Sequence, residues 1–268
     1  MNALNIVKYI EHAYAKYHKP EYIYPDPLFL VREFACNRTR EIGGLIIALL
    51  AMGNVKAMLT AQKNLLSRLT FLCRPAGSWE AADIRTALYG FRYRFFAERD
   101  LFLLIDAIRR TVTDYGSLEG AFLSCLKPES PDIVEALSGF TDILYKNSRG
   151  DLSFLVPAPA KKSACKRLFL YLRWMVRQDT IDPGGWDIDP ALLLVPVDTH
   201  MLKVGRFLGF TTRKQADLQT AREITDAFRK ICPEDPARYD FSLTRFGIHP
   251  ALKPDYSPPS AAAPTEAE

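Results

Sequence analysis

One segment narrows the folds open to this chain more than any other. From Ala164 to Arg177 the sequence predicts a helix that is apolar on nearly every side. Leu168, Phe169, Tyr171, Leu172, Trp174, Met175 and Val176 cover most of its circumference. At ~100° per residue, Lys166, Leu170, Arg173 and Arg177 share the one remaining stripe. A helix this apolar must be enclosed by others, so its basic stripe has to face a cleft, an acidic partner or water. Ser163 is placed to cap the helix. Lys166 then falls in the first turn, where the positive end of the dipole and partial desolvation both favour a neutral, nucleophilic amine. The plain alternative is a lysine that reaches along its own stem to solvent.

A second start signal follows. Leu192 to Val197 is a continuous apolar run, and Asp198 comes directly after it. Asp198 is read as the N-cap of a helix closed by Gly209, accepting backbone amides and favoured by the dipole. That role is complete in itself. The functional alternative is a carboxylate fixed by its cap bonds at a cleft rim, aimed at developing positive charge. His200, Lys203 and Arg206 fall on one side of the helix that follows, a basic face suited to phosphate.

The remainder reads as helices. Clear apolar periodicity covers Asn5–Tyr17, Glu41–Met52, Val55–Leu69, Asp100–Tyr115, Ile133–Lys146, Leu218–Ile231 and Ala237–Phe246. Strand-like alternation is scarce, so the fold class is all-α with ten or more helices. Gly43 and Gly44 weaken a helix interior by about 1 kcal/mol each, and close approach of another helix is the usual gain. Gly90 to Phe96 interleaves arginines with aromatics: either a surface that stacks bases and holds phosphate, or a junction with its arginines in water. Asp182, Asp187 and Asp189 are read as turn residues facing solvent, and His12 and His18 as surface residues.

Hydrophobic residues make up 48% of the 268, so a sizeable core is available and disorder does not describe most of the chain. Net charge is +4, which permits nucleic acid without requiring it. The five cysteines have no metal-ligand spacing, so no metal and no cofactor is expected, and their odd count suits a reducing cytoplasm. There is no 18-residue apolar run, so no membrane partner is expected. Residues 252–268 are rich in Pro, Ala, Ser and Glu and are expected to be a disordered tail.

Two motifs carry a resemblance. Lys166 on a short turn into a helix, followed after a long gap by Val195-Pro196-Val197-Asp198-Thr199-His200, resembles the helix-hairpin-helix DNA glycosylase superfamily. Its archaeal 8-oxoguanine branch is the most similar. The chain to about Pro250 also resembles an uncharacterised bacterial family, through Glu41 to Ile46, Tyr93-Arg94-Phe95, Ser163 to Arg167, Pro196 to His200 and Arg238 to Phe241.

The glycosylase resemblance implies two helical lobes around a cleft. Residues 1–40 would pack with a C-terminal lobe of residues 179–251, and residues 41–178 would form the middle lobe. It further implies a monomer that acts on damaged double-stranded DNA in the cytoplasm, at the nucleoid. Lys166 would attack C1′ to give a Schiff base, and Asp198 would stabilise the sugar cation. Asn54 would enter the DNA stack, and Trp174 or Trp186 would wall the base pocket. The stretch 157–163 lacks the glycines usual in the superfamily's hairpin. Lys161, Lys162 and Ser163 would therefore contact phosphate in their place. The alternative is a catalytically idle relative that binds nucleic acid or another protein, or one in which Lys166 and Asp198 form only a structural strut.

Overall fold

The computed structural model describes residues 3–161 and 163–248, with side chains at 161 and 246–248 left undescribed. The fold is helical. In chain order it runs α1 (Ala3–Tyr17), α2 (Leu28–Arg32), α3 (Asn37–Leu49), α4 (Val55–Arg68) and α5 (Ala81–Leu88). A two-stranded antiparallel hairpin of β1 (Arg92–Tyr93) and β2 (Phe96–Ala97) follows, pairing Tyr93 with Phe96. Next come α6 (Glu98–Tyr115), α7 (Leu118–Leu123), α8 (Val134–Asn147) and α9 (Lys166–Val176). The chain closes with α10 (Thr199–Phe207), α11 (Leu218–Arg229) and α12 (Asp240–Ile248). The proposed disordered tail and Lys162 lie outside the described residues.

Three packings position the rest. Helix α3 lies along α9, α6 lies along α8, and α12 takes α1 on one side and α10 on another. Gly44 explains the first, and Gly43 makes room for Phe34. A side chain at Gly44 would press on Met175 and Tyr171 of α9, and one at Gly43 would displace the Phe34 ring. Their helix cost is thus offset by close packing.

Several helices start where a short polar side chain covers free amides. Asn54 accepts from Ala57 N at 3.2 Å, Ser117 from Gly120 N at 2.8 Å and Asp217 from Thr220 N at 2.9 Å. Glu41 accepts the Leu118 and Glu119 amides, both at 3.1 Å, and so caps α7 from another helix. Helix α9 departs from the expected start. Ser163 does not cap it: its hydroxyl takes the Cys165 amide at 3.3 Å, ahead of the helix, while Cys165 enters the helix in the left-handed region at φ 44°.

The basic stripe of α9 meets acidic partners rather than water. Arg173 donates to Asp182 at 3.1 Å and also to Asp240. Arg177 donates to Asp235 at 2.9 Å, to Asp179 at 2.7 Å and to Asp182. Asp182 is therefore no solvent-facing turn residue; its side chain is 0% exposed. His18 is not a surface residue either: Nε2 lies 3.0 Å from Asp179, and its ring stacks on Tyr14. An apolar helix that buries two guanidiniums must bury their counter-charges with them.

Candidate functional site

A cavity of about 420 Å³ opens where α9, α10, α12 and the α3–α4 turn meet. Its apolar wall includes Met52, Val55, Met58, Leu170 and Pro196. Its polar side is Lys166, Asp198 and His200, with Asp26, Arg173, Asp240 and Arg245 also lining it.

Lys166 and Asp198 each stand at a helix start, one opening α9 and the other capping α10. Lys166 Nζ lies 3.2 Å from Asp198 Oδ2. The two carboxylate oxygens divide their work. Oδ1 accepts the His200 and Met201 amides, both at 2.8 Å, and Oδ2 faces the amine. The cap bonds thus fix the carboxylate and leave one oxygen for the cavity. Burial works against ionisation of Asp198, but the Lys166 charge, the Met201 amide and His200 outweigh it and hold the carboxyl below its usual range. The lysine side chain is 36% exposed, so the pair is reachable from solvent.

Asp240 behaves differently. It is buried among charges, and burial pushes its carboxyl up to about 6 despite the Arg173 guanidinium; the nearby Asp198 charge adds to the rise. Asp26 accepts Arg245 Nη2 at 2.8 Å. Burial opposes its ionisation, yet Arg245 and Arg173 keep its carboxyl below the usual range. The floor of the cavity is therefore a packed alternation of carboxylates and guanidiniums.

The structure brings Lys166, Asp198 and His200 together. Ser163 lines an adjoining groove of about 450 Å³ with Lys166 and Arg167. Asn54 lines a third groove, of about 600 Å³, beyond the α3–α4 turn, and its side chain is occupied as the cap of α4. Lys203 is exposed on α10, outside all three hollows. The expected phosphate contacts of Lys161 and Lys162 lie outside the described side chains.

Neither tryptophan walls the cavity. Trp174 is fully buried within the core, and Trp186 packs on Tyr171 and Phe122 with Nε1 3.3 Å from Glu41. Both belong to an apolar interior that their large rings help fill.

Sequence reasoning gave no site role to Asp26, Asp240 or Arg245, although Asp240 lies in a segment that carries the family resemblance. A signal was present: Asp240, Ser242, Thr244 and Arg245 are polar positions interleaved with the apolar residues of α12. Among the described residues, no group of three or more His, Cys, Asp or Glu side chains is arranged to hold a metal ion. No helix among them is long and apolar enough to cross a membrane.

Residues 26–249 match the family described as a protein of unknown function, DUF2400. No curated protein and no solved structure matches the chain. With most of its length inside that match, the chain belongs to the DUF2400 family.

Proposed function

We propose that this member of the family is a bifunctional DNA glycosylase and abasic-site lyase, built on the helix-hairpin-helix glycosylase plan, that removes an oxidised purine such as 8-oxoguanine. The observation that carries the reading is the pair itself. Two helix starts far apart in sequence place an accessible amine 3.2 Å from a carboxylate whose other oxygen is locked by backbone amides.

The chemistry follows from that placement. As Lys166 attacks, its ammonium gives a proton to Asp198 Oδ2. The amine lone pair forms a bond to C1′, and the electrons of the glycosidic bond leave with the base, which takes up a proton. Ring opening yields the protonated imine. Loss of a proton from C2′ then expels the 3′ phosphate and cuts the strand. Asp198 passes its proton to the departing base and, a carboxylate again, lowers the energy of the positive charge on the imine. The damaged nucleotide would have to leave the helical stack, at a cost of a few kcal/mol, and a cavity of this size suits one base. His200, Ser163 and Lys203 are the candidates to hold flanking phosphates.

A second reading has an observation of its own. The stretch before α9 has no glycine to bring backbone close to phosphate, and the cavity has no aromatic wall. An idle relative that only binds nucleic acid, or another protein, would look the same. Borohydride trapping separates the two. A labelled duplex with 8-oxoguanine or an abasic site is incubated with wild type, Lys166→Ala and Asp198→Asn, then reduced. Hydride converts the imine to a stable amine, so a covalent adduct with wild type alone supports the lyase. Absence of adduct, with duplex still bound, moves the protein to the idle reading.

A further inference from the structure

The arginine and aromatic motif at Gly90 to Phe96 has no part in the chemistry above, yet the structure carries it to the mouth of the cavity. It forms the β1–β2 hairpin, with Arg94 and Phe95 as the two-residue turn. The Tyr93 hydroxyl donates to the Met52 carbonyl. The Arg94 guanidinium lies directly over Gly53, where a side chain would have to displace it, and Gly53 itself sits at φ 91°. Met52 and Gly53 both line the Lys166 cavity, so the hairpin is docked on its rim.

Beside the hairpin runs the groove of about 600 Å³, with Lys56, Arg68 and Arg92 on its walls and no acidic residue among those lining it. Lys56, Arg92 and Arg94 are exposed. Among the described residues none of the three has a carboxylate within 4.0 Å, whereas ten other arginines do. Lys56 and Arg92 in the groove and Arg94 at the hairpin turn beside it, cations without counter-charges, complement a polyanion. Next to them stand two large exposed rings. Phe95 is 65% exposed and Phe154 62%, with centroids 6.1 Å apart in an edge-to-face pair. Rings in water beside free cations are the pairing that holds unstacked bases and their phosphates.

We infer that the hairpin and its groove form a nucleic-acid track beside the cavity. Lys56, Arg92 and Arg94 take phosphates of the strand flanking the reacting nucleotide, and Phe95 with Phe154 stacks on a base exposed next to it. The inference rests on the reading of the cavity as a DNA site but concerns binding, not bond-making.

The test uses the full chain and a fluorescein-labelled duplex with a tetrahydrofuran abasic analogue, which cannot form a Schiff base. Anisotropy gives the affinity from 50 to 200 mM salt for wild type, the Lys56→Ala/Arg92→Ala/Arg94→Ala variant and Phe95→Ala. Lys127→Ala, whose lysine pairs with Glu135 away from the groove, is the control. Circular dichroism checks that each folds. Each lost phosphate contact lowers the log–log salt slope by about 0.9, so the triple variant is expected to bind at least tenfold more weakly, with a shallower slope. Phe95→Ala is expected to weaken abasic duplex about tenfold and intact duplex less. Wild-type affinity and slope in the triple variant would overturn the track, as would a wild-type protein that binds an acidic protein surface but no duplex. If the slope falls as expected and trapping yields no adduct, the track stands and the lyase reading fails.

Discussion

At its C-terminal end α9 holds Arg173 and Arg177 against four carboxylates; at its N-terminal end it holds Lys166 against one. One stripe on one helix thus supplies both a buried ionic lattice and a reachable ion pair. At the lattice each guanidinium is shared between carboxylates and at most 4% exposed, so its charge is committed to the fold. At the Lys166 end the amine has a single partner and an open side. Position along the helix, not residue type, separates charge that holds the fold from charge available for chemistry.

Removing Asp182 should break that comparison most severely. Asp182→Ala leaves two buried guanidiniums short of their shared acceptor, and a loss of about 3–5 kcal/mol is expected in urea unfolding. A loss below about 1 kcal/mol would mean the lattice is no more structural than the Lys166 pair.

Asp240 lies where the two regions meet, and its effect should be read in pH. Its carboxyl titrates at about 6 in the folded protein and at about 3.9 when unfolded. Between those values the folded state binds more protons, so this group's contribution to stability is full below about 4 and is lost as pH rises through about 6, on the order of 3 kcal/mol. Asp240→Asn should flatten the stability profile across that window. Asp198 has the opposite sign, since its folded carboxyl is held low. Its contribution is present above about 3.9 and disappears on further acidification.

Smaller effects sharpen the contrast. Asp198→Ala removes a helix cap and should cost about 1 kcal/mol in thermal unfolding. Asp198→Asn, which can still accept the amides, should cost less while losing the trapped adduct. Smallest of all, Lys166→Met should change stability by under about 1 kcal/mol, yet abolish the adduct altogether. A large stability loss in that last variant would turn Lys166 into a strut.

Much of the fold was legible because helix periodicity and N-caps are local signals. Asp198 stood out as polar directly after a buried run, and the structure gives it the cap that placement predicts. Lys166 was legible as the first polar residue of an apolar helix. The ionic lattice was not, because its partners are brought together only by folding: Asp240 and Arg173 lie 67 residues apart, and His18 and Asp179 lie 161 apart. The hairpin escaped notice for another reason. Its strands are two residues long and its left-handed turn position is occupied by Arg94, without the glycine or asparagine that marks such turns. The pocket role that the glycosylase resemblance implies for Trp174 or Trp186 rests on no local signal, and the space around both is filled by core.

The divided use of the Asp198 carboxylate has a consequence in time. A carboxylate on a free side chain swivels and must be caught in the right orientation at each encounter. Here two backbone amides hold one oxygen, so rotation is suppressed from the moment α10 folds. The other oxygen waits at a set bearing before any ligand arrives, and little reorientation is left for the reacting moment.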